Sequence, residues 1–73
     1  MNLSTIEDVV RERLALYLSE LHGTAPQGVY DMVLAVVERP VIEVMLEHAG
    51  GNQALAAEYL GISRATLRKK LAA

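Results

Sequence analysis

The chain has 73 residues, of which 52% are apolar and only 4% aromatic, and its formal net charge is −2. A chain of this length forms one small domain, which buries only about 60% of the surface that it exposes when unfolded. It contains no cysteine, so neither a disulfide nor a thiolate metal site can stabilise it, and oligomerisation is the common remaining means. The scarcity of aromatic residues argues against folds that bind single strands by stacking bases on aromatic rings.

Several classes of chemistry have no support in the sequence. There is no glycine-rich phosphate loop, no Ser–His–acid arrangement and no His-x₃-His spacing, so we expect no enzyme, no metal and no cofactor. His22 and His48 each end a predicted helix, where capping of carbonyls and the helix dipole explain them. Nothing at the N-terminus resembles a secretion signal, and no apolar run approaches the ~20 residues of a membrane span.

The first predicted helix begins near Thr5, because Ser4-Thr-Ile-Glu7 has the pattern of a capping box. Gly23 ends this helix after His22, and residues 24–28 are a linker of turn formers. The linker is too short to separate domains, so we expect the helix to fold back on the next one. One apolar face runs along it at helical spacing, formed by Ile6, Val9, Val10, Leu14, Tyr17, Leu18 and Leu21.

The second predicted helix, from about Gln27 to Ala49, is apolar well beyond the arc that faces a core. Its charged residues fall on one narrow stripe. A four-helix monomer of this size cannot cover so much apolar surface, so we expect this helix to be buried against a second copy of the chain. The alternative is a helix buried inside one subunit. The predicted dimer contacts are Val29, Tyr30, Val33, Val36, Val37, Val41 and Met45.

Pro40 lies inside this second apolar pattern. It lacks the N–H that would donate to the Val36 carbonyl, so it predicts a kinked helix. Alternatively the helix ends there and another begins. The polar pattern keeps its phase through residues 41–46, which favours the kink. Gly50 and Gly51 then break the chain.

Residues 52–71 have the pattern of a helix-turn-helix. Asn52 is a good N-cap, and residues 53–60 are strong helix formers. Gly61 stands where a short helix needs a left-handed residue at its end. Ala56 and Ala57 are small, so the two helices can cross closely at this point.

The second helix of this unit begins after Ser63 and runs from about Arg64 to Leu71. Leu67 and Leu71 are four residues apart and are predicted to pack inward, with Lys69 roughly opposite them. The helix carries four cations in two turns, whereas a helix that needed only to be soluble would mix its charges. The alternative is a basic C-terminus that satisfies the helix dipole, but Arg64 lies at the N-terminus, where the dipole disfavours a cation.

The charges are divided unevenly along the chain. Residues 1–60 carry all nine acidic residues and three of the seven basic ones, a charge of −6. Residues 61–73 carry the other four basic residues and no acid, a charge of +4. An acidic body with a basic end has a polar field that can orient it on a polyanion.

Three segments carry a resemblance to a known family. Gly-Asn-Gln at 51–53, Ala-Ala at 56–57 and Leu-Gly-Ile-Ser-Arg-Ala-Thr-Leu-Arg-Lys-Lys-Leu at 60–71 resemble the C-terminal half of the Fis (factor for inversion stimulation) family. They are also similar to the DNA-binding domain that ends many bacterial enhancer-binding activators. Two upstream segments, Val-Tyr-Asp-Met-Val at 29–33 and Val-Glu-Arg-Pro at 37–40, favour Fis itself. The resemblance covers roughly residues 5–71.

The resemblance implies an all-α fold, namely a four-helix Fis-like subunit with a C-terminal helix-turn-helix in an intertwined homodimer. Residues 1–73 would form one domain, with dimerisation helices at 5–49 and the helix-turn-helix at 52–71. The implied function is that of a cytoplasmic, nucleoid-associated regulator of transcription that binds and bends double-stranded DNA. In the family, the two recognition helices lie closer than one helical turn of straight DNA, so the duplex must curve to meet both.

The resemblance also implies the residues that contact DNA. Arg64 would read a guanine, as a bidentate arginine does in the major groove, and the others would hold phosphates or neighbouring base edges. Ser63 stands where the family often has Asn, and Ala54 and Leu55 replace a hydroxyl and a basic residue that hold phosphates. The implied DNA-binding residues are Asn52, Gln53, Ser63, Arg64, Thr66, Arg68, Lys69 and Lys70.

Other partners and functions stay open at this point. RNA polymerase is a further partner in the family, although Gly50 replaces the basic residue that some members use against it. A helix that begins near Thr5 leaves no room for the family's N-terminal arm, so we do not expect stimulation of DNA invertases. One alternative is the DNA-binding domain of an enhancer-binding activator. Another is a dimeric interaction module without DNA binding, supported by the acidic body and by a chain that stops at Ala73, before the family's basic tail.

Overall fold

The computed structural model describes residues 2–72, which form four α-helices in succession. No strand occurs among these residues, so the prediction of an all-α fold with four helices is confirmed. Met1 and Ala73, the ends of the domain predicted over residues 1–73, lie outside the described range. Each helix begins and ends within two residues of its predicted bounds. The helices are α1 (Ser4–Glu20), α2 (Val29–His48), α3 (Gln53–Leu60) and α4 (Arg64–Ala72).

The start of α1 differs from the predicted capping box. Leu3 precedes the helix and makes no side-chain cap hydrogen bond. Ser4 already lies in the first helical turn, where its N–H donates to Asn2 Oδ1 at 3.0 Å and its hydroxyl donates to the same oxygen. Glu7 Oε2 lies 3.6 Å from Arg11 Nη2. The Glu7 side chain therefore points along the helix and not back toward the N-cap. The predicted capping box is therefore wrong, because the Glu7 N–H that Ser4 was expected to cap donates to the Leu3 carbonyl at 3.2 Å.

Helix α1 ends at Glu20, three residues before the glycine predicted to stop it. The N–H groups of Leu21 and His22 donate to carbonyls three residues back, at 3.2 and 3.3 Å, which tightens the last turn. His22 and Gly23 then adopt left-handed backbone angles, with φ of 50° and 87°. The chain turns over residues 21–28 and enters α2, as the composition of this linker predicts.

Helix α2 continues unbroken through Pro40. The prediction of one helix across this proline is confirmed, and the alternative of two helices is excluded.

At the end of α2, Gly50 (φ 65°) adopts the left-handed conformation. The N–H groups of Gly50 and Gly51 donate to the carbonyls of Glu47 and Leu46, both at 2.9 Å, which is the Schellman pattern. The reversal turns the chain sharply so that α3 packs against the last turns of α2.

The buried core is small and lies only where α2, α3 and α4 meet. Ala56 is completely buried and Ala57 is 2% exposed, which confirms that small residues let the helices approach closely here. Leu46, Leu55, Leu60 and Ile62 pack around this centre as partly buried residues. The buried residues of the described chain are Ile42, Ala49, Ala56, Ala57 and Leu67.

The two leucines of α4 have different environments. Leu67 is completely buried, as predicted, whereas Leu71 is 39% exposed, so the prediction that it packs inward is wrong for this subunit. Helix α3 has only eight residues, about 12 Å of helix, and it covers α4 at Leu67 but not one turn later. Leu71 instead borders a shallow cleft between α2 and α4, beside Ile42.

Helix α1 stands apart from the other three helices. Its Cα atoms stay more than 8 Å from those of α2, α3 and α4, and it contributes no buried residue. A groove of about 640 Å³ separates α1 from α2, and its walls are almost entirely apolar. The linker thus brings the two apolar faces opposite each other without closing the space between them. Within residues 2–72, no helix is both long and apolar enough to cross a membrane.

The unequal burial of the two leucines in α4 gives a direct test of this core. We expect Leu67→Ala to lower the free energy of unfolding by about 2–5 kcal/mol, because it leaves a cavity between α3 and α4. Leu71→Ala is the matched control, and we expect it to cost well under half as much. Urea denaturation at one fixed protein concentration measures both. Equal losses for the two variants would contradict the packing described here.

Candidate nucleic-acid interface

Helix α3, the first helix of the helix-turn-helix, is capped by the side chain of Asn52. Asn52 has an extended backbone (φ −77°, ψ 106°), and its Oδ1 accepts a hydrogen bond from the Leu55 N–H at 3.1 Å. This is the N-cap that the sequence predicts. Since the cap uses Oδ1, the amide nitrogen is the atom of Asn52 that can donate to an external acceptor. Gln53 follows at the first helical position and is exposed.

The turn between α3 and α4 depends on the backbone conformation of Gly61. Its φ is 76°, and its N–H donates to the Glu58 carbonyl at 3.2 Å. The Ile62 N–H donates to the Ala57 carbonyl at 3.1 Å, and the Ile62 side chain packs against the core. A Cβ on Gly61 would have no atom within 4 Å, so glycine is needed here for its left-handed conformation rather than for space.

Ser63 caps α4, as the sequence predicts. Its Oγ accepts a hydrogen bond from the Thr66 N–H at 3.0 Å, and its hydroxyl donates to Thr66 Oγ1 at 2.8 Å. The two hydroxyl residues that the family resemblance assigns to DNA contact are therefore engaged with each other at the start of α4. This bond places Thr66 beside Ser63 and fixes the direction in which α4 leaves the turn.

Three cations of α4 lie along one edge of the helix or opposite its buried side. Leu67 points into the core, which fixes the rotation of the helix about its own axis. At about 100° per residue, Lys69 is then directed away from the core, and Arg64 and Arg68 lie together along one edge. All three are exposed. Helix α4 consequently presents positive charge along one edge and on the side opposite Leu67.

Lys70, the fourth cation, has a different environment. Its Nζ lies 2.9 Å from Glu38 Oε2 of α2, and the two side chains are 35% and 45% exposed. The other ion pairs among residues 2–72 are local to α1, where Arg11 lies near Glu7 and Asp8. Sequence reasoning missed the Glu38–Lys70 pair because the partners are 32 residues apart and no periodic pattern connects them.

The residues predicted to form the dimer interface fall into two groups. Val33, Val36, Val37 and Val41 line the groove between α1 and α2. Val36 is 67% exposed and Val37 36%. The remaining members are outside the groove lining, where Tyr30 is 76% exposed and Val29 and Met45 are half-buried.

Histidines and acids do not converge in this structure. Within the described range, no group of three or more His, Asp or Glu side chains is arranged so that it could hold a metal ion. His48 instead lies against Tyr59 of α3, with ring centroids 5.6 Å apart and a tilt of 52° between the planes. This contact joins the end of α2 to the end of α3 and stabilises the junction on which α4 rests.

Comparisons with known proteins agree with this arrangement. The family model described as "Bacterial regulatory protein, Fis family" matches residues 33–73. The chain is 52% identical over 71 residues to a protein of Ralstonia nicotianae, which covers 97% of this chain and 92% of that protein. It is 49% identical over 69 residues to proteins of Neisseria meningitidis serogroups A and B, covering 94% of this chain and 87% of each. Each of the three is described as a Fis-like DNA-binding protein.

Proposed function

This chain belongs to the Fis family of bacterial regulatory proteins, and we propose that it is a homodimer that binds double-stranded DNA through its helix-turn-helix and bends it. In this proposal it acts as a nucleoid-associated regulator of transcription. The observation that carries the proposal is the exposed basic surface of α4, whose rotation is fixed by the buried Leu67. The description of its relatives supports this function over an activator domain and over a module without DNA binding.

The distribution of charge supports an orientation in which α4 faces the DNA. Residues 61–73 carry a charge of +4, while residues 1–60 carry −6. Phosphates attract the basic end and repel the acidic body, so the field turns the helix-turn-helix toward the duplex. The acidic body then faces away from the DNA and does not add non-specific contacts along the duplex.

The position of each cation suggests a division of roles within α4. Arg64 is the first residue of the helix, and the N-terminal residues of a recognition helix reach the base edges of the major groove. Its planar guanidinium can bind O6 and N7 of a guanine together. Lys69 lies opposite the buried face, and Arg68 lies along one edge, where both can hold phosphates. Asn52, Gln53, Ser63 and Thr66 would add contacts from the two helix N-termini.

The open groove between α1 and α2 supports the homodimer. The radius of gyration over Cα atoms is 15.1 Å, whereas a compact chain of this length has about 11 Å. Large apolar side chains are exposed along both walls, among them Ile6 (56%) and Val9 (51%) of α1 and Val36 (67%) of α2. A soluble monomer rarely leaves so continuous an apolar surface in water. A second copy, inserting its own α2, is the occupant that we propose for this groove.

The dimer proposal predicts how a charge in the groove acts. We expect the wild-type protein to be a dimer at micromolar concentration and to unfold in one transition whose midpoint rises with protein concentration. Val37→Asp places a carboxylate in the apolar groove, which costs several kcal/mol. We expect this variant to lose its helical structure rather than to form a stable monomer. Sedimentation equilibrium and circular dichroism measure the two properties.

Leu16→Asp is the matched control, since Leu16 lies on α1, is 48% exposed and is absent from the groove lining. It introduces the same charge on a similarly exposed apolar residue, and we expect it to remain a dimer. A wild-type protein that sediments as a folded monomer at high concentration would disprove the proposed assembly.

The division of roles in α4 predicts two different effects on DNA affinity. Arg64→Ala should cost about 1–3 kcal/mol on a preferred site and should abolish discrimination at one base pair in each half-site. Lys69→Ala should weaken binding to all sequences alike. It should also make the slope of log affinity against log salt shallower by about 0.9 for each phosphate that the variant no longer neutralises. Binding isotherms at several salt concentrations, on a preferred and a scrambled duplex, separate these effects.

Arg11→Ala provides the control for these measurements, because Arg11 lies on α1 and pairs locally with Asp8 at 3.1 Å. It removes one positive charge, as the other two variants do, and we expect it to change neither the discrimination nor the salt slope. If Arg64→Ala lowers the affinity for both duplexes equally, then Arg64 holds a phosphate and does not read a base.

DNA bending gives a separate test of the proposed function. We expect the complex to migrate most slowly when the site lies at the centre of a DNA fragment, since a central bend retards a fragment most. Replacing the A/T-rich base pairs between the half-sites with G/C pairs should weaken binding, although in this proposal no side chain contacts them, because a narrow minor groove lowers the energy of bending. Circularly permuted fragments in a gel measure the bend. A mobility independent of the position of the site would show that the duplex stays straight.

A further inference from the structure

We propose that the Glu38–Lys70 ion pair sets the angle of α4 against α2, and that Lys70 is a positioning residue rather than a phosphate contact. The inference rests on the proposed function, because the angle matters only when two recognition helices must meet one duplex. In a dimer held by α2, the tilt of each α4 against its own α2 determines the distance between the two recognition helices. The pair would therefore select the spacing of half-sites that the protein accepts.

The Glu38–Lys70 pair is the ionic link between the two helices. Lys70 Nζ lies 2.9 Å from Glu38 Oε2, and among residues 2–72 no other ion pair connects one helix to another. The Cα atoms of α4 stay more than 8 Å from those of α2, whereas α3 packs closely against both. Helix α4 is thus joined to α2 through the shared core around Leu67 and, three residues later, through this ion pair.

Apolar packing holds α4 at Leu67 but leaves its last turn unpacked against α2. A cleft of about 360 Å³ lies between α2 and α4, bordered by the ion pair and by Ala35, Ile42 and Leu71. Leu71 is 39% exposed, so it does not fill this space. A close-packed contact would resist rotation of the helix, but an open cleft does not. The ion pair at the edge of the cleft is then the contact that holds α4 at one angle.

The direction of Lys70 also separates it from the other cations of α4. It follows Leu67 by three residues, which places it about 60° from the buried side on one flank. Arg64 and Arg68 lie on the opposite flank, about 60° and 100° from the buried side, and Lys69 is about 160° away. Lys70 therefore lies on the flank that faces α2, and its charge is already balanced by a carboxylate. A cation balanced in this way displaces no counterion from DNA unless the pair first breaks.

Exchanging the two charges tests the proposal. We would compare Glu38→Lys, Lys70→Glu and the double variant on a preferred duplex and on one whose half-site spacing is lengthened by about two base pairs. The readout is the ratio of the two affinities at one salt concentration, in which general effects of net charge cancel. Each single variant sets two like charges together, so we expect the ratio to fall by about threefold or more. The double variant re-forms the pair, and we expect its ratio and affinity to return to within about twofold of wild type.

Glu12→Lys combined with Lys70→Glu is the matched control. It has the same net charge as the wild type and the exchanged pair, but residue 12 lies on α1, so no pair can form, and the ratio should stay low. Circular dichroism and the unfolding midpoint establish that every variant is folded. The wild-type isotherm tests the proposed function by itself, since a protein without DNA affinity gives no ratio to compare.

Two results would overturn the assignment. If the single variants keep the wild-type ratio, the ion pair does not position α4. If the exchanged double variant remains weak on both duplexes, the new carboxylate at position 70 is repelled by phosphate, and Lys70 is a DNA contact.

Discussion

The burial of Leu67 is the contact on which the C-terminal half of this protein depends. Its side chain is completely buried, and Ala56 and Ala57 in α3 are small enough for the two helices to approach closely. This single leucine joins α4 to α3 and determines which side of α4 faces outward. A helix of nine residues is too short to be stable by itself in water. Its orientation therefore comes from this packing, together with the Ser63 cap and the left-handed Gly61 at the turn.

The same core is too small to account for the N-terminal half. The described chain has five buried residues, and all of them lie in α2, α3 and α4 or directly after α2. The apolar faces of α1 and α2 instead line an open groove. The apolar surface that a monomer leaves exposed is the surface that a dimer can bury. Folding and assembly would then be one process, which fits a chain without disulfides and of only 73 residues. In that case the distance between the two helix-turn-helix units is a property of the folded dimer and not of a flexible linker.

The charges illustrate how one residue type takes different roles on one helix. Arg64, Arg68, Lys69 and Lys70 are all exposed, but Lys70 Nζ also lies 2.9 Å from the Glu38 carboxylate of α2. An ion pair that is about two-fifths exposed contributes little to stability. The role that we propose for it is one of orientation, because beyond Leu67 the last turn of α4 borders an open cleft and does not pack against α2. In the proposed assembly, this cation would act on DNA recognition without touching DNA.

The sequence by itself determined the features that depend on near neighbours. The helix bounds, the Asn52 and Ser63 caps and the left-handed Gly61 were predicted because each involves residues at most a few positions apart, and the buried Leu67 follows from helical spacing. Only the tertiary structure decided which long-range contacts form. It placed Leu71 at the edge of a cleft, because α3 is one turn too short to cover it. It also paired Lys70 with Glu38, 32 residues away, because two helices that are separated in the chain meet only after α3 has turned between them. Spacing along a helix gives the direction of a side chain, but the partner in that direction depends on the packing of the whole subunit.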